Sequence, residues 1–188
     1  MAVPIIALDV DGVINSFPTS LRKDEKPVWD DLTAFSCPVS LHGGTSFTIT
    51  HSPTVINRLL EMHTSGQAEI RWLTTWGSEA NLELSKGVGF PGDFEVIAER
   101  PQFAAYTPLQ TTGVKGDDGG WWKLTAFKQL AADNPDRKII WIDDDLAYDR
   151  HAVEFVKNHE GHVLGICPET DYGLTPEHLS RIAQFVAD

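Results

Sequence analysis

Five short runs of apolar residues recur along the chain, each bounded by polar residues or by Gly and Pro. The first run, residues 3–8, is continuously apolar and does not alternate, which is typical of a strand buried on both faces of a parallel sheet. The four later runs have the same texture and are rich in Ile, Val and Trp. They are residues 69–73, 94–98, 138–142 and 163–167. All five are predicted to be strands.

Helical patterns lie between these runs. Ser52 and Pro53 predict a helix start, and apolar residues then repeat at helical spacing as far as Gly66. A shorter helix is expected at about residues 77–86, closed by Gly87. Further helices are predicted over residues 121–132, over residues 146–158, and from Thr175 and Pro176 to the end. Strands that alternate with helices of this length predict a doubly wound α/β fold, with a parallel sheet and helices on both faces.

Two stretches fit this alternation poorly, residues 15–52 and the Gly/Pro-rich loop at about 99–120. The first contains a β-like segment, FTIT, next to a Gly-Gly turn, and we interpret it as an ordered insertion that forms a hairpin or flap. No repeat or linker is visible. A chain of 188 residues is therefore expected to form one domain, residues 1–188, with 15–52 as a small cap after the first strand.

Composition and charge narrow the possible partners. The chain is 41% hydrophobic and carries 15 basic against 27 acidic residues, a formal net charge of −12. Such a chain would be repelled by long nucleic acids and anionic membranes, whereas small ligands and short nucleic-acid ends remain possible. The N-terminal apolar run stops at Asp9 and has no basic residues before it, so we expect a cytoplasmic protein without a signal peptide. Cys37 and Cys167 are interpreted as buried thiols.

Polar residues that can carry chemistry follow three of the predicted strands. Ligands of open α/β sheets bind at the carboxyl ends of the strands, where these residues would meet. Converging carboxylates would raise one another's pKa, and a divalent cation would resolve that conflict. Oxygen ligands without a nearby set of His or Cys favour Mg²⁺ over Zn²⁺. The residues are Asp9 and Asp11 after the first strand, Thr74 and Thr75 after the second, and Asp143, Asp144 and Asp145 after the fourth.

This combination suits phosphoryl transfer, which needs a nucleophile, charge neutralisation and donors to the phosphoryl oxygens. Lys123, at the start of the helix before the fourth strand, supplies a positive charge. Asp9 and Asp11 lie on the same side of an extended chain, because side chains alternate with a period of two. One carboxylate can therefore attack phosphorus while its neighbour handles the leaving-group proton.

The order of these motifs resembles the haloacid dehalogenase (HAD) superfamily. Its pattern is a strand ending in DxDG, a strand ending in Thr or Ser, a Lys, and a strand ending in an acidic pair. The corresponding segments here are LDVDGV, RWLTTW, GWWKLTAF and IIWIDDD. In detail they are similar to the small HAD domains grouped with RNA-repair assemblies. The resemblance covers almost the whole chain.

The resemblance implies a role for each matching position. Asp9 would be the nucleophile that accepts the phosphoryl group, and Asp11 the general acid/base, with its backbone carbonyl bound to Mg²⁺. Thr74 would bind the phosphoryl group and Lys123 would balance charge. The metal ligands would be Asp9, Asp11, Asp143 and Asp144. Three alternatives stay open: Thr75 for Thr74, Lys115 for Lys123, and Asp145 in the role of Asp144.

Each motif also has a plain structural interpretation. An Asp-Gly pair after a strand is often only a turn, and residues 143–145 could simply cap the next helix. Trp76, Trp121 and Trp122 flank the expected site and could stack on a base, although packing is the commoner use of such residues. The function predicted is a Mg²⁺-dependent phosphomonoester hydrolase with an aspartyl-phosphate intermediate. Its substrate would be a phosphorylated small molecule or nucleic-acid end. The alternative is a non-catalytic phosphate-binding module on the same fold.

Overall fold

A five-stranded parallel sheet forms the centre of the computed structural model, which describes residues 2–18, 25–39, 45–100 and 120–188. Its strands lie in the order β5-β4-β1-β6-β7, so β1 is central, and each neighbouring pair is parallel. This confirms the doubly wound α/β fold and all five predicted strands, each one to three residues shorter than expected. The strands are β1 (Ile5–Leu8), β4 (Glu69–Trp72), β5 (Glu95–Val96), β6 (Ile139–Ile142) and β7 (Val163–Ile166).

The helices cover both faces of this sheet. They are α1 (Pro53–Thr64), α2 (Ser85–Val88), α3 (Trp122–Asp133), α4 (Arg150–Asn158) and α5 (Pro176–Ala187). Alternate residues of β1 point to opposite faces, so that Ile6 packs with residues of α1 and α5, whereas Ile5 packs with residues of α3 and α4. The sheet therefore separates two apolar cores, as its continuously buried strands require.

Strands β2 (Thr33–Val39) and β3 (Thr45–His51) pair antiparallel in a separate two-stranded sheet, called the hairpin below. Thr33 pairs with His51 and Val39 with Thr45. The buried side chains of the hairpin join the core on the α1 side of the large sheet. The predicted hairpin within residues 15–52 is thus confirmed for the residues that the structure describes, while residues 19–24 and 40–44 lie outside them.

The helix predicted at 77–86 is different in the structure. The segment contains a π-helical stretch, Ala80–Leu84, followed by the single turn of α2, and the helix passes through Gly87 to end before Gly89. A methyl group at the Cβ position of Gly87 would lie 2.1 Å from the ring of Phe35. Gly87 therefore serves as a packing site for the hairpin inside the helix, so that the prediction of a helix end there is wrong.

The single helix predicted over 146–158 is also wrong, because it is two segments. Leu146–Tyr148 is a 3₁₀ turn, and α4 begins only after Asp149. Asp149 has extended backbone angles, and its carboxylate accepts the N–H of Ala152, which caps α4. Val153, in the first turn of α4, is 44% exposed.

The start of α5 follows its sequence signal. Thr175 caps the helix before Pro176, accepting the N–H of His178, and the His178 ring in turn accepts the N–H of Thr175.

Cys37 is buried as expected, whereas Cys167 is only partly buried, and both thiols are free. Within the described part of the chain, no helix is long and apolar enough to cross a membrane.

Candidate active site

The site lies at the carboxyl ends of the two central strands. β1 and β6 are neighbours in register, with Leu8 opposite Ile142, so Asp9 and Asp143 leave the sheet side by side. The backbone N–H of Asp9 donates to the carbonyl of Ile142 at 3.0 Å, which extends the ladder to the first acidic residue. Parallel pairing in this register therefore brings together two carboxylates that lie far apart in the sequence.

Lys123 joins these two carboxylates. It lies in the first turn of α3, and its Nζ donates to Oδ2 of Asp9 at 2.6 Å and to Oδ2 of Asp143 at 2.8 Å. The side chains of all three residues are at most 7% exposed. Burial alone would lower the pKa of Lys123, but the two carboxylates outweigh it and raise the pKa above its ordinary value. The lysine is therefore a fixed positive charge.

Three carboxylates form a candidate metal site. One oxygen each from Asp9, Asp143 and Asp144 can be chosen so that all lie within 4.8 Å of one another. Opposite ligands of an octahedral Mg²⁺ lie about 4.2 Å apart at the usual bond length, so the spacing suits such an ion after small adjustments. The donors are all hard oxygens, which also fits Mg²⁺. The Asp11 carboxylate is not part of this set.

Gly12 makes room for the third carboxylate. Its backbone is in the left-handed region (φ 69°), and a methyl group at its Cβ position would lie 1.9 Å from Oδ2 of Asp144. The same Oδ2 accepts a hydrogen bond of 2.7 Å from the hydroxyl of Thr170, just after β7. Asp144 is thus seated between the turn after β1 and the loop after β7.

The carboxylates carry more negative charge than Lys123 can offset. Burial, followed by repulsion from Asp9, raises the pKa of Asp144 to about 7. The pKa of Asp143 is well above its usual range, chiefly because of burial, which outweighs the attraction of Lys123. Burial also raises the pKa of Asp145. A divalent cation among these groups would supply the missing positive charge.

Asp11 lies in the turn after β1 and has its own partners. Nδ2 of Asn15 donates to its Oδ1 at 2.7 Å, and Nε1 of Trp76 donates to its Oδ2 at 2.9 Å. Burial raises the pKa of Asp11, although the hydrogen bonds from Trp76 and Asn15 act in the opposite direction. A carboxyl group with a raised pKa in a site of this kind is suited to proton transfer.

The two threonines after β4 differ in their surroundings. Thr74 is fully buried and its hydroxyl accepts the N–H of Trp76 at 3.3 Å, whereas Thr75 is exposed. Lys115, the alternative to Lys123, lies within residues 101–119, outside the described residues.

The three tryptophans near the site are mainly buried. Trp121 stacks on Trp141 with ring centroids 5.1 Å apart, and Trp122 belongs to the same core. Nζ of Lys123 lies 5.7 Å from the centroid of the Trp121 ring. Trp76 contacts both Asp11 and the hairpin. Packing, the commoner use, therefore accounts for Trp121 and Trp122, whereas Trp76 also donates a hydrogen bond to Asp11.

Sequence reasoning did not identify two residues that contact the acidic groups, Asn15 and Thr170. Asn15 lies four residues after Asp11, and a turn of that length can bring the two side chains together. This spacing is the signal that the sequence offers for Asn15. Thr170 follows the fifth predicted strand, and its position near the carboxyl end of that strand is the corresponding signal.

A parallel sheet with a DxDG turn after its central strand, a buried Lys and an acidic group after the next strand defines an α/β domain of the HAD class. The family model for the HAD domain in Swiss Army Knife RNA repair proteins matches residues 5–179. The chain therefore belongs to this family of HAD domains, within the HAD hydrolase superfamily. This confirms the resemblance seen in the sequence. No curated protein and no solved structure matches the chain.

Proposed function

We propose that this chain is a Mg²⁺-dependent phosphomonoester hydrolase that acts through an aspartyl-phosphate intermediate. The observation that carries the proposal is the buried Lys123, hydrogen-bonded to Asp9 and Asp143, beside a third carboxylate, that of Asp144. This arrangement provides a nucleophile, a fixed positive charge and a set of hard oxygen ligands in one place.

In this proposal, Asp9 attacks phosphorus with Oδ1, since its Oδ2 is hydrogen-bonded to Lys123. The bond from phosphorus to the leaving oxygen breaks, and Asp11 gives its proton to that oxygen. In the second half-reaction Asp11 takes a proton from water, whose oxygen attacks phosphorus. The Asp9 carboxylate is then released together with inorganic phosphate, and Asp11 is again protonated.

The remaining residues bind and orient. Lys123 holds the Asp9 side chain through a hydrogen bond and offsets the charge of the phosphoryl group, while Thr74 supplies a hydroxyl to a phosphoryl oxygen. Asp9, Asp143 and Asp144 would hold Mg²⁺, together with the backbone carbonyl of Asp11. When bound, Mg²⁺ would reduce the repulsion between the carboxylates and the phosphoryl group.

The proposed substrate is a phosphorylated end of a nucleic acid or a nucleotide. The family description, HAD domain in Swiss Army Knife RNA repair proteins, supports it. A net charge of −12 opposes a long nucleic-acid footprint, so we expect recognition to be confined to the terminal nucleotides. We also propose that residues 1–188 form one domain in which residues 15–52, which include the hairpin, are a small cap. The cytoplasmic location stays a prediction.

A phosphate-release screen tests the proposal. Purified protein is incubated with nucleotides, sugar phosphates and oligonucleotides phosphorylated at the 3′ or 5′ end, with Mg²⁺ or with EDTA. We expect Mg²⁺-dependent release from at least one substrate, loss of activity in Asp9→Asn, and normal activity in Asp136→Asn, a matched change at an exposed carboxylate. Acid-quenched samples analysed by mass spectrometry should show phosphorylated Asp9.

Two results would contradict this function. Binding of phosphorylated ligands without phosphate release from any of them would favour the non-catalytic phosphate-binding module. Release that persists in Asp9→Asn would exclude the nucleophile proposed here.

A further inference from the structure

The Asp11 carboxyl group is hydrogen-bonded at both of its oxygens by side chains from different parts of the chain. Asn15 donates to Oδ1 at 2.7 Å, and Trp76, from the segment after β4, donates to Oδ2 at 2.9 Å. Both donors are nearly inaccessible, at 2% and 7% exposure. Two fixed donors, one on each oxygen, determine the plane of a carboxyl group, which a single bond would leave free to rotate.

The hairpin holds both donors. The side-chain oxygen of Asn15 accepts the backbone N–H of Thr50, in β3, at 2.9 Å. The ring of Trp76 meets the ring of Phe47, also in β3, edge to face, with centroids 6.0 Å apart. The backbone N–H of Ser16 adds a third link, to the carbonyl of Thr50 at 2.8 Å. β3 is therefore connected to Asp11 along two separate routes.

The chemistry of the two donors is specific. The Asn15 amide uses its nitrogen towards Asp11 and its oxygen towards Thr50, so neither a carboxylate nor an aliphatic side chain could make both bonds. The indole of Trp76 has a single N–H, and it is directed at Asp11. Phe at this position would keep an aromatic ring beside the hairpin, and would lose the hydrogen bond together with the second ring of the indole.

We propose that Asn15 and Trp76 are positioning residues that hold the Asp11 carboxyl group in the orientation needed to protonate the leaving oxygen, and that the hairpin keeps both in place. This inference rests on the proposed function, in which Asp11 is the general acid. The proton passes from Asp11 to the leaving oxygen while the bond from phosphorus to that oxygen breaks and the bond from Asp9 to phosphorus forms. A misaligned Asp11 would slow this transfer without removing Asp9, Lys123 or the metal ligands.

Leaving groups of different basicity test the proposal. An alkoxide must be protonated as it leaves, whereas p-nitrophenolate leaves readily without a proton. We expect Trp76→Phe to lower kcat/KM about ten-fold for an alkyl phosphate and by no more than about two-fold for p-nitrophenyl phosphate, since one of the two hydrogen bonds that orient the Asp11 carboxyl group is lost. Asn15→Ala should show the same selectivity. Asp11→Asn should show it more strongly, by about 100-fold or more for the alkyl phosphate.

Trp72→Phe is the matched control. Trp72 is fully buried and its Nε1 donates to Oδ1 of Asn81 at 2.8 Å, so the same substitution removes an equivalent hydrogen bond away from Asp11. Any loss of activity in this variant should be equal for the two substrates. Circular dichroism and thermal unfolding show whether each variant is folded, and either positioning variant alone suffices for the test.

The possible results distinguish the positioning role of Asn15 and Trp76 from the proposed function. Suppose that Trp76→Phe or Asn15→Ala is folded and lowers kcat/KM by the same factor for both substrates, while Asp11→Asn still affects the alkyl phosphate more. The positioning role is then wrong and the proposed function stands. If Asp11→Asn itself lowers kcat/KM equally for both substrates, the role of Asp11 as general acid is wrong, and the positioning role is wrong with it.

Discussion

Replacing Lys123 with Met would leave two buried carboxylates without their shared positive charge. Met has a similar length and no charge, so the substitution removes the ion pairs and largely keeps the packing. In the wild type, Nζ lies 2.6 Å from Oδ2 of Asp9 and 2.8 Å from Oδ2 of Asp143, and all three side chains are buried. The change therefore tests whether the lysine stabilises the fold at the site as well as the reaction.

The geometry sets the expected size of the effect. At an effective dielectric constant of about 20, each of the two contacts contributes about 6 kcal/mol of Coulomb attraction. Repulsion between the carboxylates and the desolvation of three charges offset most of this sum, and removing one partner from a buried ion pair costs about 3–5 kcal/mol. For a chain of this size, that loss corresponds to a decrease in Tm of about 6–20 °C.

Thermal and urea unfolding in the presence of EDTA measure the loss. Lys128→Met is the matched control, because Lys128 is exposed on the same helix and its Nζ lies 5.9 Å from the ring of Phe155. Its replacement should lower the free energy of unfolding by less than about 1 kcal/mol. Addition of MgCl₂ should stabilise Lys123→Met more than the wild type, since the cation would replace part of the lost charge.

An unfolding free energy of Lys123→Met within about 1 kcal/mol of that of Lys128→Met would refute this reasoning. It would mean that the two carboxylates do not depend on the lysine in the folded protein. Equal stabilisation of wild type and Lys123→Met by MgCl₂ would refute the expectation that the cation and the lysine offset the same negative charge.

Three further predictions concern the metal site and the last helix. Gly12→Ala should lower the free energy of unfolding by about 1–3 kcal/mol more than Gly66→Ala, measured by urea unfolding, because both glycines have positive φ but only the new methyl at Gly12 meets Asp144. Equal losses would contradict this. Asp144→Asn should weaken Mg²⁺ binding at least about ten-fold in calorimetric titration, since losing a residue that merely orients a ligand already costs that much; unchanged affinity would remove Asp144 from the ligand set. Burial lowers the pKa of His178, whose ring accepts a hydrogen bond from the backbone N–H of Thr175 at the helix cap. The neutral ring therefore stabilises the folded protein. This contribution is complete above about pH 6.5 and is lost as the pH falls through the lower folded-state pKa. His178→Gln keeps an acceptor and should lose less stability than the wild type between pH 7 and pH 5, whereas identical pH profiles would count against this role.

The parallel sheet, and the proximity of the acidic residues that follow its strands, could be predicted from the sequence. Asp9 and Asp143 each end a short apolar run, and the carboxyl ends of parallel strands share one edge. Only the pairing of β1 with β6 is then needed to place the two carboxylates beside Lys123. Local patterns carry this information, since strand identity and strand ends are both visible in the sequence.

Features that depend on contacts between distant segments could not be predicted in the same way. The helix through Gly87 follows from the ring of Phe35, some fifty residues earlier in the chain, which packs where a side chain would otherwise be. The hydrogen bonds of Asp11 require the hairpin to lie against Asn15 and Trp76, and no local pattern specifies that docking. The sequence indicates that Trp76 flanks the site, but no local pattern predicts its hydrogen bond to Asp11.

The hairpin is inserted between β1 and α1, and it contributes no strand to the five-stranded sheet. In protein engineering terms it is a module whose exchange would remove no strand and no strand pairing from that sheet. The structure also sets the conditions for such an exchange. A grafted hairpin must present a backbone N–H where Thr50 does and an aromatic ring where Phe47 does, because otherwise Asp11 loses the support of both of its donors. Exchanging the hairpin therefore requires keeping these two positions in β3, together with Phe35 and the buried side chains that join the core, and leaves its exposed positions free to vary.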